Sequence, residues 1–112
     1  MTKYRRGDLV LVWYPNSDLR TYKKRPALVV QREDMKTGLP QVVLAMITTN
    51  MARLGHPSRV LLTRTRRNRL LHDSILMTDN LATVLDKGIV RVWGKIDDMG
   101  PVNTALRYTL NL

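Results

Sequence analysis

Six apolar runs of strand length recur along the chain, at residues 9–14, 27–30, 42–47, 60–62, 75–77 and 89–93. β-Branched residues enrich most of them and turn-forming residues separate them, the pattern of a β-rich chain. Pro15-Asn16-Ser17-Asp18, Lys36-Thr37-Gly38-Leu39-Pro40 and His56-Pro57-Ser58 supply the turns. Two runs are apolar on both faces. In residues 9–14, Leu9, Leu11 and Trp13 alternate with Val10, Val12 and Tyr14, and residues 42–47 repeat the arrangement. Such strands have to be covered on both sides. One helix is predicted near the C-terminal end, where Gly100 and Pro101 stand at its start and Val102, Ala105, Leu106 and Leu110 share roughly one face. One short helix cannot cover every doubly apolar strand. The expected architecture is mainly β (α+β): a small coiled antiparallel sheet or partial barrel with a C-terminal helix. A second copy of the chain would cover the remainder, so a homodimer is expected.

Charge sharpens this picture. Lys and Arg number 19 against 9 Asp and Glu, a net +10, and residues 1–70 hold 15 of these cations with only 4 of the acids. The excess implies a polyanionic partner, nucleic acid or an acidic protein, meeting the first part of the chain. The length suits one domain, residues 1–112. Cysteine is absent, which excludes disulfides, thiolate catalysis and zinc–thiolate sites. Two histidines, His56 and His72, are too few for a histidine-rich metal centre. No apolar stretch resembles a signal peptide or approaches membrane-spanning length, so a soluble cytoplasmic protein with no membrane partner is expected.

Several polar segments are candidates for chemistry, each with a plainer alternative. Lys23, Lys24 and Arg25 precede Pro26 at the mouth of an apolar strand. A guanidinium there suits a phosphate, because its fork matches two oxygens and keeps its charge; the alternative is a solvated basic loop. Thr48, Thr49 and Asn50 end the third run, where they either bond phosphate and sugar oxygens or cap a turn. Asp79 follows an apolar stretch. It can serve as a general base with a raised pKa, anchor Arg25, or cap a turn. Arg64, Arg66, Arg67 and Arg69 crowd seven positions with no acid between them, which suits an exposed loop attracting a phosphate backbone. Tyr4, Tyr14 and Tyr22 can stack on unpaired bases, whereas Trp13 and Trp93 are expected in the core. No phosphate-binding glycine loop, carboxylate cluster for magnesium, or Ser/His/Asp order is apparent. Cleavage of nucleic acid by this chain would therefore need no metal or cofactor. The attacking group would be the substrate's own 2′-hydroxyl, which restricts the substrate to RNA.

Taken in order, GDLVLVWYP, the basic segment ending in RPALVV, VVLAMITTN, SILMTDNLATV and the closing GIVRVWGKI with its helix resemble the MazF/PemK family of toxin endoribonucleases. The resemblance runs from about Gly7 to the C-terminus. It implies an SH3-like antiparallel barrel of about five to seven strands with a C-terminal helix, assembled as a homodimer. It further implies cleavage of single-stranded RNA at short sequences, leaving 2′,3′-cyclic phosphate and 5′-hydroxyl ends, and an acidic antitoxin that blocks the RNA groove. Arg25 matches the family's catalytic arginine before proline, Thr48 its strand-end threonine, and Asp79 an aspartate used as the base. The remaining cations and polar groups, Arg20, Lys23, Lys24, Thr49, Asn50 and the four clustered arginines, would bind RNA.

Two departures stand out. Where some members carry a second catalytic arginine two residues before the aspartate, this chain has Met77. Where members carry His, Glu or Gln in the first loop, it has Leu19, Arg20 and Thr21. Lys24, Arg20 or His72 would then have to donate the proton. Two rival readings follow: a non-catalytic toxin of the same fold that poisons a topoisomerase, and a basic nucleic-acid-binding module.

Overall fold

All six apolar runs become strands, each longer than its run, although Val30 falls just past the end of the second. The structure, a computed structural model, describes residues 4–112. In chain order it contains β1 (Asp8–Pro15), β2 (Tyr22–Val29), β3 (Gln41–Thr48), β4 (Arg59–Leu62), β5 (Ser74–Leu85), β6 (Ile89–Lys95) and the helix α1 (Gly100–Leu110). Short 3-10 turns at Met51–Arg53 and Asp86–Gly88 follow β3 and β5. The strands form one sheet in the order β4-β5-β3-β2-β1-β6, with every pair antiparallel. Among the described residues no helix is long and apolar enough to cross a membrane.

Connectivity forces the sheet to curl. β5 and β6 are separated by three other strands in the sheet, yet only residues 86–88 join them in the chain. A flat sheet would hold them about 19 Å apart at roughly 4.8 Å per strand. The sheet therefore coils until the last half of β5 approaches β1. The Tyr14 hydroxyl closes that gap by donating to the Asn80 carbonyl oxygen at 2.7 Å. Burial pushes the Tyr14 phenol above its ordinary pKa, with the charge of Arg25 opposing the rise.

Curling produces two cores from the two strand faces. Val10, Val12 and Tyr14 of β1 meet Ala27, Val29, Val42, Leu44, Val84 and Ile89 inside the coil. On the other face Leu9, Leu28, Val30, Ala45, Ile47, Leu62, Leu70 and Leu76 pack under Val102 of α1. Pro101 opens the helix, Val102 and Ala105 point inward, and Asn111 ends it in the left-handed conformation at φ 58°. Leu110, expected on the buried face, is half-exposed. Leu9, Val10, Val12 and Tyr14 are fully buried within one chain. The inward face of β1 is thus covered within one chain, whereas on its other face Leu11 is part-buried and Trp13 is exposed.

Two sequence expectations fail for β2 and β5. Lys23, Lys24 and Arg25 belong to β2 rather than to a loop. Pro26 sits inside that strand opposite Leu11, and β3 joins β2 only from Ala27 onward. Residues 22–26 thus have a free edge toward β3, the setting in which a strand tolerates proline. In β5, Ala45 faces Leu81 while the next residue, Met46, faces Met77, so Thr78, Asp79 and Asn80 bulge out of the ladder. The bulge is pinned from behind. The Thr78 amide and hydroxyl both donate to the Ser58 carbonyl, at 3.0 and 2.6 Å, and the hydroxyl meets that of Thr109 at 2.8 Å.

The arginine-rich segment packs across the end of β6. Lys95 donates its amide to the Arg67 carbonyl (3.0 Å), and the Trp93 indole donates to the Arg69 carbonyl (2.8 Å). A Cβ on Gly94 would overlap the backbone of Arg67 and Asn68, whereas one on Gly88 would meet open space. Gly94→Ala is expected to cost about 1–3 kcal/mol through overpacking. Gly88→Ala should stay near the wild-type value, and urea unfolding of the two variants compares them directly.

Candidate active site at the mouth of the barrel

The gap between β2 and β3 is where the polar candidates gather. Alternation along each strand decides which side chains line it. Arg25 continues the inward row of Val29 and Ala27, and Thr48 continues that of Val42, Leu44 and Met46. Extending the Ala27–Met46 pairing by two residues sets Arg25 opposite Thr48, across the stretch where the strands no longer bond. Lys23 shares this face. Lys24 does not: its ammonium lies over the Trp13 ring, 5.4 Å from the centroid, on the other side of the sheet.

Arg25 has an unusual environment. One terminal nitrogen reaches the Asn16 side-chain oxygen at 3.3 Å, while Nε is buried with no partner. Neither of the two ion pairs among the described residues involves it. A partly buried guanidinium without a counter-ion is a standing electrostatic cost that an anion relieves. Asn16 is itself held by the first hairpin loop, donating to the Thr21 hydroxyl at 2.8 Å. Asp18 braces the same loop by accepting from the amides of Arg20 and Thr21, which holds its carboxyl below the usual range.

Thr48 is prepared as a donor. Its hydroxyl oxygen accepts from the Asn50 amide at 3.2 Å, which leaves the hydroxyl hydrogen free. Asn50 uses its side-chain oxygen to cap the 3-10 turn through the Ala52 amide (3.1 Å). Thr49 is exposed beside it.

Asp79 does not anchor Arg25. Its carboxylate is taken by Arg59, with Nη2 at 2.8 Å and Nε at 3.3 Å. The bonds from Arg59 hold the Asp79 carboxyl below its ordinary value, against the opposing pull of burial, so the raised pKa expected from the sequence is reversed in sign. His56 adds a smaller lowering influence; the distant His72 makes no such contribution. Arg59 escaped the sequence reading, although HPSRVLL carried a signal. It directly precedes an apolar run, and its partner in the ladder is Met77. Met77, two residues before Asp79, thus has the Arg59 side chain beside it on the neighbouring strand.

Other candidates fall elsewhere. Arg64, Arg66, Arg67 and Arg69 lie on the loop crossing residues 93–95, whereas Arg25 faces Val12 at the other end of β1. Arg67 is paired with Asp97 at 2.8 Å, and the Arg64 guanidinium binds the Leu71 carbonyl. Arg20 is exposed on the first hairpin loop. Tyr14 is buried and unavailable for stacking, and Trp13, expected in the core, is 47% exposed. Tyr4 bonds Asp86, and burial and that carboxylate push its pKa up to about 12. Among the described residues no group of three or more His, Asp or Glu side chains is arranged to hold a metal.

A coiled antiparallel sheet of six strands with a C-terminal helix defines a small, mainly β protein, with Arg25 at the gap between β2 and β3. The chain belongs to the family of PemK-like, MazF-like toxins of type II toxin–antitoxin systems, whose model matches residues 5–110. Solved structures agree on the fold. An endoribonuclease in complex with its cognate antitoxin, from a mycobacterial species, is 22% identical with a TM-score of 0.78, covering 98% of this chain and 97% of that one. The Mycobacterium tuberculosis toxin MazF-mt6 is 22% identical at a TM-score of 0.76, covering 94% and 97%. MazF from Deinococcus radiodurans is 17% identical at 0.70, covering 100% and 99%. No curated protein matches the chain.

The Asp79 shift carries a stability signature. A carboxyl whose folded pKa is depressed stabilises the fold above its unfolded pKa and loses that contribution as pH falls through the folded value. Asp79→Asn should therefore destabilise the protein at pH 7 and become neutral by about pH 2, below the ordinary carboxylate range. Urea midpoints of wild type and variant at both pH values measure this; an unchanged difference would show that the Arg59 contact does not shift the carboxyl.

Proposed function

We propose that this toxin is a metal-independent, sequence-specific endoribonuclease acting on single-stranded RNA. The observation that carries the reading is Arg25: a partly buried guanidinium without a counter-ion, facing an open strand gap beside the free hydroxyl hydrogen of Thr48. The 2′-oxygen attacks the adjacent phosphorus, and its proton passes to a base. The bond from phosphorus to the 5′-oxygen breaks, and that oxygen takes a proton from solvent. The products are a 2′,3′-cyclic phosphate and a 5′-hydroxyl, with no water consumed. Arg25 stabilises the charge that accumulates on the non-bridging oxygens, and Thr48 donates a hydrogen bond to one of them. Asp79, kept ionised by its neighbours, has the charge state required of the proton acceptor.

Lys23, Thr49 and the free side-chain amide of Asn50 extend the polar surface along which the RNA backbone runs. An acidic antitoxin is the natural competitor for a chain of net charge +10. The endoribonuclease of mycobacterial origin was solved with its cognate antitoxin, which supports the same arrangement here. Leu54, Leu61, Leu71 and Tyr108 are each at least 47% exposed and are candidate contacts for a homodimer. The site of action is the cytoplasm, where mRNA is the substrate.

Purified protein is expected to cut a long single-stranded RNA in the presence of EDTA, with cyclic phosphate on the upstream fragment. Arg25→Ala should cut roughly 10²–10³-fold more slowly, the loss seen when one donor to a developing oxyanion is removed. RNA left whole would select the non-catalytic reading, and cleavage restored only by magnesium would reject the metal-free scheme.

A further inference from the structure

We infer that Arg59 is a second phosphate-contacting cation of this site, working from β4 alongside Arg25 of β2; the inference rests on the nuclease reading. Sheet register supplies the first argument. Arg59 pairs with Met77, Met77 with Met46, and Met46 with Ala27, so one row crosses β4, β5, β3 and β2. Directly paired residues project to the same face of a sheet. Arg59 therefore shares the face of Ala27 and Met46, which is also the face of Arg25 and Thr48. Thr48 in turn pairs with Ile75, and Ile75 with Leu61, which puts Thr48 two strands, about 10 Å, from the Arg59 strand. The guanidinium and the hydroxyl thus flank one stretch of surface that a single phosphodiester with its neighbour can span.

The second argument is how the guanidinium is held. Asp79 takes Nε and one hydrogen of Nη2, and the Arg53 carbonyl takes one hydrogen of Nη1 at 3.1 Å. One N–H remains on each terminal nitrogen. The plane of the fork is fixed by three bonds while two donors stay uncommitted, a preorganised arrangement for an oxyanion. An ordinary surface ion pair looks different. Arg67 and Asp97 are joined by one contact with side chains 59% and 57% exposed, whereas the Arg59 side chain is only 20% exposed.

Continuity with the Arg25 site is the third argument. Asp79 is in the bulge of β5, and the next residue, Asn80, accepts from Tyr14, whose phenol lies in the field of Arg25. The bulge therefore joins the two cations into one constellation. The Arg53 carbonyl that fixes Arg59 belongs to the 3-10 turn following Thr48, so the same loop positions hydroxyl and guanidinium.

Two measurements on Arg59→Met, Arg59→Lys and the control Lys36→Met test the assignment, after thermal unfolding confirms that each variant folds. The first is the rate of cleavage of a long single-stranded RNA. The second is the salt dependence of binding to a single-stranded 2′-O-methyl RNA, which cannot be cut because its 2′-oxygen is blocked. Arg59→Met is expected to cut roughly 10²–10³-fold more slowly. Arg59→Lys, which keeps the charge and loses the fork, should fall between it and wild type. The slope of log K against log salt should shrink by about 0.7 in Arg59→Met, one phosphate contact, and stay unchanged in Lys36→Met. Cleavage by Arg59→Met within twofold of wild type would overturn the assignment and leave the nuclease reading standing. If the wild type cuts nothing, that reading fails, and the slope alone decides: a loss seen in Arg59→Met and absent from Lys36→Met supports the phosphate contact, and an unchanged slope in Arg59→Met overturns it.

Discussion

The three-residue bulge in β5 is the constraint on which the rest of the molecule depends. Without it, β5 would run in one register against β3, and Thr78, Asp79 and Asn80 would be ladder residues. With it, the first half of β5 pairs with β4 and lies under the helix, while the second half curls toward β1. The bulge is the hinge between the two cores. It is held on one side by Thr78 at the Ser58 carbonyl and on the other by Tyr14 at the Asn80 carbonyl. Between those clamps Asp79 projects outward and takes Arg59. One local irregularity thus closes the barrel and aims the carboxylate.

Charge follows the same logic. Arg25 has no carboxylate partner, and Arg59 has one that leaves two of its donors unused. These two cations are partly buried and incompletely satisfied on one face. On the opposite side of β1 and β2, Lys24 covers the Trp13 ring. Adjacent residues of a single basic triplet therefore serve different surfaces, because a strand turns successive side chains to opposite faces.

Much of the architecture was legible from local pattern. Each apolar run became a strand, and Pro101 opened the helix. What escaped depended on long-range geometry. Alternation in a doubly apolar strand cannot say which face curls inward, so Trp13 and Tyr14 were assigned the wrong environments. The partner of Asp79 was hidden because Arg59 lies 20 residues away and is brought close only by the β4–β5 pairing. The bulge itself left no local signature. It is held by contacts between residues far apart in the chain, Thr78 with Ser58 and Asn80 with Tyr14. The basic triplet looked like a loop because proline in a strand is tolerated only where one edge is free, and that freedom belongs to the tertiary structure.

The order in which the strands are made adds a consequence during synthesis. Arg25 and Thr48 are made before the strand that seats Arg59 beside them, residues 74–85, and the helix that backs the bulge is made after that strand. A nascent chain shorter than this holds cations without a shared surface. Assembly must wait for pairings between distant segments, which form slowly compared with local helices. Formation of the site is therefore a consequence of β5 pairing as a whole and of no single local segment.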